Sequence, residues 1–203
     1  MALFATAYFG PISYYAELIH HEKPIIEQMD TFPKQTYRNR AIILTANGKL
    51  PLIVPVVRTN GNHTLTRDIE ISYRENWNIQ HWKTIETAYN SSPYFLYYKD
   101  GIEKILMTQY TRLIDLNYDL QTFILQKLKI NLDCAHSTEF TTPGTILEDY
   151  RYQFSVKETC TTYKCPEYEQ VFSTKFQFQP NLSIMDLLFN LGPDAKRYLL
   201  NIT

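Results

Sequence analysis

The sequence predicts a single α/β domain over residues 1–203, with an opening strand–helix–strand unit, an added β-hairpin and a helical region. Three observations predict it. Two short apolar runs flank a helix-spaced segment in the first thirty residues; Asn47-Gly48 lies between two strand-like runs; helical spacing dominates from about residue 76 to 130. A chain of 203 residues suits one core of ordinary size.

The first run, "ALFATAYFG", alternates weakly and stops at Gly10-Pro11, which predicts a strand over 3–8. Pro11 suits a helix's opening position, where its missing N–H costs nothing, and Ile12, Tyr15, Leu18 and Ile19 recur at helical spacing through residue 20. Residues 25–29 form a second strand ending at Asp30. A βαβ unit this short implies parallel strands joined by a right-handed crossover, the opening of a Rossmann-like domain. Ligands of such folds gather outside the C-terminal strand ends. Here that edge carries Phe9, Gly10 and Pro11 from one loop and residues 30–35 from the next.

The hairpin follows. Asn47-Gly48 is a strong turn signal. It pairs residues whose numbers sum to 95, so Arg38, Arg40, Ile42 and Leu44 share a face with Pro51, Ile53, Pro55 and Val57. Tyr37, Asn39, Ala41 and Ile43 share the other with Leu52, Val54 and Val56. A two-residue turn in this register puts both prolines at hydrogen-bonded positions, so a longer loop or a bulge is expected. Both faces are apolar near the turn, and this end is expected to be covered.

"RDIEISY" (67–73) reads as a further strand, and Asn76 or Asn78 starts a helix that turns Trp82, Ile85 and Tyr89 inward. Ser92-Pro93 opens another helix, Ser as cap and Pro at the first position, to about residue 112 with a break or bend at Gly101. "DLQTFILQKLKI" (119–130) is an amphipathic helix, and "INLDCAHSTEF" (130–140) a strand. Residues 141–167 lack a period and read as a long loop, and "YEQVFSTKFQFQ" (168–179) as strands. "SIMDLLFNLG" (183–192) closes the fold as a helix, with Ser183 and Asp186 as a capping-box-like pair and Gly192-Pro193 as its stop.

Composition narrows the function. A formal charge of −1 argues against nucleic-acid binding, which usually needs a basic excess. No apolar run reaches the ~18–20 residues that span a bilayer, and the N-terminus lacks a signal-peptide pattern. Three cysteines, an odd number, suit reduced thiols, so a cytoplasmic location is expected. Cys134, His136, Cys160 and Cys165 offer four zinc-type ligands, but their C-x-H and C-x4-C spacing departs from the usual pairs. No metal is expected there, and no cofactor motif is present. Sixteen Tyr and eleven Phe supply core volume and candidate ligand walls.

Two constellations carry chemistry. Arg38 and Arg40 project from one strand face beside the ligand edge, with Lys34 and Gln35 upstream and Asn39 between them. A guanidinium binds phosphate or carboxylate through paired hydrogen bonds without losing charge. The alternative is a structural pairing with Asp30, Asp68 or Glu70. The second is "HWKTIETAYNSSPYF" (81–95), where Tyr89, Asn90, Ser91 and Ser92 precede a fresh helix N-terminus at Pro93, a place that suits an anion. His81 and Tyr89 are its candidate proton carriers.

These stretches also carry a resemblance. "KQTYRNR" (34–40), "ANGKLPLIVPV" (46–56), "RDIEISY" (67–73), "HWKTIETAYNSSPYF" (81–95), "LIDLN" (113–117), "YEQVF" (168–172) and "PNLSIMDLLFNLGP" (180–193) together resemble the WbqC-like proteins. That bacterial family is named from O-antigen gene clusters. The resemblance implies surface-polysaccharide biosynthesis, with aminoacyl or acyl transfer to a sugar as the reaction. It supplies no catalytic set, so the motif residues stand as site candidates: Lys34, Gln35, Arg38, Asn39, Arg40, Ser91 and Ser92 for binding, His81 and Tyr89 for catalysis. The opening also resembles the Rossmann-like nucleotidylyltransferases. Where those carry H-x-G-H, this chain reads Ile12-Ser13-Tyr14-Tyr15, which speaks against adenylyl transfer.

The expectation is a small group-transfer enzyme acting on an anionic substrate such as a sugar nucleotide or acyl donor. A non-catalytic module for an anionic metabolite is the alternative, and a homodimer-forming interaction protein the third reading.

Overall fold

The computed structural model describes residues 2–156 and 163–202. It opens with β1 (Ala2–Ala5), α1 (Ile12–Leu18) and β2 (Ile25–Glu27). The hairpin strands β3 (Arg40–Thr45) and β4 (Gly48–Ile53) follow, then a short pair, β5 (Val56–Val57) and β6 (Glu70–Ile71). Helices α2 (Trp77–Tyr89), α3 (Phe95–Met107) and α4 (Leu113–Lys127) precede β7 (Ala135–His136) and β8 (Glu148–Asp149). Helices α5 (Ile184–Leu191) and α6 (Ala195–Leu200) complete it.

The four strands β7-β2-β1-β8 form one sheet in that order, and every neighbouring pair is parallel. The α/β class and the opening βαβ unit are therefore present. β1 stops at Ala5 instead of residue 8 because the Tyr8 N–H turns to the Tyr37 carbonyl (2.9 Å) and Phe9 takes φ +43. The expected strand over 130–140 shrinks to β7, and β8 arises inside the expected loop. Strands of two residues show no alternation, so the sequence pattern could not mark them.

Other elements differ too. The segment 168–179 holds turns and no strand; Val171 and Phe172 pack on the core without a neighbouring strand. Within 67–73 only β6 pairs as a strand, after a 3-10 turn over Thr66–Asp68 whose Thr66 N–H is tied to the Asp30 carbonyl at 2.8 Å. α4 begins at Leu113, earlier than expected, and α3 runs unbroken through Gly101. The Ser92 hydroxyl bonds back to the Tyr89 carbonyl (2.7 Å), so it closes α2 instead of capping α3. Ser183 does cap α5, accepting from the Met185 N–H, while the Asp186 side chain turns elsewhere and leaves the capping box half made. Gly192 ends α5 at φ +51, and a 3-10 turn leads into α6, which sequence reading did not foresee.

The hairpin pairs Arg40 with Ile53 and Thr45 with Gly48, a register two residues from the expected one with Ala46-Asn47 as the turn. This shift resolves the proline problem. The Val54 N–H bonds the Asn39 carbonyl (2.9 Å), so the Asn39/Val54 pair is a hydrogen-bonded one. By alternation Ile42/Pro51 is not, and Pro51 loses no ladder bond. Ala41, Ile43, Leu52 and Val54 are buried, whereas Pro51 and Ile53 on the other face are exposed. Leu44, on that other face, is buried, whereas Leu50 beside the turn is exposed, so the turn end is not covered as expected.

α1 packs on α5 and α6, α2 on α3, and α5 on β3. Ile184, Met185, Leu187, Leu188 and Phe189 are all fully buried, which makes α5 the central helix, since a helix apolar all round belongs inside. No helix among the described residues is long and apolar enough to cross a membrane.

Candidate functional site

Four parallel strands end on one edge of the sheet, and buried charge collects there. At the end of β2, the Glu27 Oε1 accepts from the Ser137 hydroxyl (2.6 Å) and the Met29 N–H (2.7 Å). Just beyond β8, Arg151 forks onto Asp149 through Nε (2.8 Å) and Nη2 (2.6 Å), and its Nη1 reaches the Thr141 carbonyl at 2.8 Å and Glu27 Oε2 at 3.4 Å. Hydrogen bonding to this guanidinium holds the Asp149 carboxyl below its ordinary range. Three residues beyond β2, Asp30 accepts from Arg38 Nη2 at 2.6 Å and from the Thr66 hydroxyl at 2.5 Å.

Arg38 and Arg151 come together over one ring. Tyr152, itself half-exposed, lies 6.0 Å from the Arg38 guanidinium and 5.5 Å from that of Arg151. Beneath them both arginines line a small cavity with Thr6, Thr36, Tyr14 and Tyr37; Ala7 and Phe154 supply apolar wall. Its volume of about 10 Å³ holds about one water, so a larger ligand enters only if the 152–154 segment yields. Two cations face three carboxylates here, and all three nitrogens of the Arg151 guanidinium are engaged. On Arg38 the Nη2 is paired with Asp30, but the Nε is buried and has no acceptor among the described residues; the Arg40 Nε, two residues on, is in the same condition.

Asn117 ties the strand ends together, donating to the Arg38 carbonyl (2.8 Å) and the Thr6 hydroxyl (3.1 Å). Lys34 and Gln35 are exposed, Gln35 with φ +58, and Asn39 holds the hairpin by donating to the Val54 carbonyl at 2.9 Å. None of these three lines the cavity.

The residues of the second constellation do not line this cavity. The Tyr89 hydroxyl donates to Asp186 Oδ2 (3.1 Å) and sits by the Leu44 backbone, four residues along β3 from Arg40 or about 13 Å. Ser91 is exposed beside it, and Ser92 is buried. Burial raises the Asp186 carboxyl, which is held by Tyr89, Tyr168, Gln170 and Asn190 and by no cation. Burial also keeps Tyr89 protonated, its hydroxyl raised well above the ordinary value. His81 is buried against Trp77 and Tyr8. Its Nδ1 shares a hydrogen bond with the Tyr8 hydroxyl at 2.9 Å, and the Ile53 backbone lies beside the ring. Burial lowers this imidazole to about 4.

No group of three or more His, Cys, Asp or Glu among the described residues is placed to hold a metal. Cys134 and Cys165 are half-buried, and burial pushes the Cys134 thiol up to about 11. Cys160 lies outside the described residues.

The model of the WbqC-like protein family matches two overlapping stretches, residues 6–160 and 148–198. The chain belongs to the WbqC-like protein family. The family match takes in every residue of the cavity wall named above, and Arg151 lies within both stretches. The chain is also similar to the uncharacterized protein Rv1507c of Mycobacterium tuberculosis (strain ATCC 25618 / H37Rv), at 28% identity over 95% of this chain and 91% of that one. No solved structure matches the chain.

Of the sequence candidates, then, only Arg38 lines the cavity. Sequence reading missed Arg151, Glu27, Asn117 and Tyr152. The one available signal was charge in "EDYRY" (148–152), a dense acidic–basic–aromatic cluster inside an otherwise polar loop.

Proposed function

We propose that this WbqC-like protein is a small group-transfer enzyme of surface-polysaccharide or sugar-nucleotide metabolism, transferring an acyl or aminoacyl group to a sugar. Arg38 and Arg40 bind its phosphate or carboxylate substrate, with Arg151 as a second buried cation at the strand ends. One observation supports this reading above the rest: the Nε–H groups of Arg38 and Arg40 are buried without an acceptor. An unpaired buried donor costs about 1–3 kcal/mol, so Arg38, which lines the cavity, is poised to receive a ligand oxygen there, and Arg40 two residues on offers a second donor. The position, outside the C-terminal ends of parallel strands, is where α/β folds bind ligands.

A second reading, the non-catalytic binding module, draws on His81. Its Nδ1 is engaged by the Tyr8 hydroxyl, burial favours its neutral form, and it is not part of the cavity wall. Proton transfer then falls to a hydroxyl of the wall or is not needed.

A thermal-shift screen of sugar nucleotides, acyl donors and inorganic phosphate tests both. A ligand at 100 times its Kd stabilises the native state by about 2.7 kcal/mol. The group-transfer reading expects a stabilising ligand, loss of that effect in Arg40→Lys, and a transfer product by mass spectrometry when donor and acceptor are combined. Stabilisation without product favours the module. A response unchanged in Arg40→Lys refutes the assignment of Arg40.

A further inference from the structure

A second, open site lies where α3 begins and α4 ends. Here a groove of about 590 Å³ is lined by Tyr94, Tyr97 and Tyr98 from the start of α3 and by Gln126, Lys127 and Lys129 from the end of α4. None of these residues lines the sheet-edge cavity.

Two glycines hold its aromatic and basic groups in place. Gly192, at φ +51, lies under the Tyr94 ring; a Cβ there would come within 2.5 Å of two ring carbons. The Tyr94 N–H is fixed in turn on the Phe189 carbonyl at 3.0 Å. Gly101 does the same for Phe123, whose ring would lie 2.2 Å from an added Cβ. The Lys127 ammonium sits 5.1 Å from the centre of that Phe123 ring. Lys129 leaves α4 at φ +54, and its carbonyl accepts from the Lys196 ammonium at 3.2 Å. Tyr97 is 75% exposed, a large aromatic face open to solvent.

The chemistry of this wall is specific. Tyrosine rings present electron-rich faces that attract the weakly positive C–H face of a saturated ring. Their hydroxyls and the Gln126 amide both donate and accept, which suits a ligand rich in hydroxyl groups. Two ammonium groups supply point charges for an anion. No carboxylate lines the groove, and neither Lys127 nor Lys129 has an ion-pair partner among the described residues. An apolar peptide would leave the lysines and the amide idle. The volume falls within the range of small-molecule sites.

We propose that this groove binds an anionic sugar, a hexose ring bearing a carboxylate or a phosphate, with the ring on Tyr97 and Tyr94 and the acid on Lys127 and Lys129. The test is NMR titration of the full chain with glucuronate and with glucose 6-phosphate. Glucose and inorganic phosphate serve as single-feature controls, and phenyl phosphate as an anion carried on a ring that is not a sugar. Tyr97→Ala and Lys129→Gln change exposed positions, and melting curves check that each still folds. Saturable binding of an anionic sugar is expected, weakened about tenfold or more in each variant and about tenfold or more for either control. Arg40→Lys should leave this binding intact, which separates it from the sheet-edge reading. The proposal is overturned by absent saturation, by binding that survives both variants, by loss in Arg40→Lys instead, or by phenyl phosphate binding as tightly as the sugars.

Discussion

Arg38 and Asp30 form an ion pair 2.6 Å long with 2% and 1% of their side chains exposed, and the Thr66 hydroxyl occupies the second carboxylate oxygen. Removing one partner would leave a buried charge without compensation, which costs about 3–5 kcal/mol. Arg38→Ala should therefore lose about that much stability in urea denaturation, against about 1 kcal/mol or less for Arg40→Lys, since Arg40 has no carboxylate partner among the described residues. A double-mutant cycle with Asp30→Asn should show coupling of about 0.5–3 kcal/mol. Equal, small losses at both arginines would contradict the pairing.

Arg151 makes a fork, and forks do not tolerate lysine. Its Nε and Nη2 both bond Asp149, so an ammonium keeps the charge and loses the paired geometry. Arg151→Lys is expected to loosen β8, seen as faster amide exchange at Tyr150, whose N–H bonds the Leu3 carbonyl at 2.8 Å. Protection unchanged at Tyr150 would show that the fork does not hold the strand.

His81 predicts an acid slope. Its imidazole has an ordinary value of 6.5 and is lowered by burial to about 4. Between those values the unfolded chain binds more protons than the folded one, so stability falls as pH drops from about 6.5 to about 4. The shift corresponds to about 3 kcal/mol over that window. His136 is lowered in the same direction, whereas Asp186 is raised and acts oppositely, so the difference between parent and His81→Gln isolates the one group. Urea midpoints across this range should slope less in His81→Gln; parallel profiles would exclude the assignment.

Gly101 offers a test of sign. Alanine in place of a mid-helix glycine ordinarily stabilises by about 1 kcal/mol. Here the new Cβ would meet the Phe123 ring, so overpacking should reverse the effect, costing about 1–3 kcal/mol. Thermal melting of Gly101→Ala decides between them, and a raised Tm would mean that Phe123 moves aside freely.

How much of this was legible in the sequence depends on element length. α1, α2 and the hairpin carry a period over six or more residues and were readable, down to the inward Trp82, Ile85 and Tyr89. β7 and β8 are two residues each and exist because β2 and β1 offer them an edge, a tertiary cause that local spacing does not record. The hairpin parity was read correctly although its register was not, since a shift of two residues preserves which side chains share a face. The Arg38–Asp30 pairing stood among the sequence alternatives, but nothing local distinguishes a guanidinium that meets a carboxylate from one awaiting a ligand. Arg151 was out of reach for the same reason as β8.

The pairing of β8 with β1 has a consequence for how the chain reaches its native state. These strands are neighbours although most of the chain lies between them, and α1 likewise packs against the late helices α5 and α6. Contacts so distant in sequence must wait for a large loop to close, which places this topology toward the slow, millisecond-to-second part of the range for single domains. During synthesis β1 therefore emerges long before the strand that will cover its outer edge, and an uncovered edge invites pairing with other chains. Arg38 and Asp30 are made early, whereas Arg151 and Tyr152 follow only after helices α1 to α4, so the two guanidiniums meet over the Tyr152 ring only late in assembly.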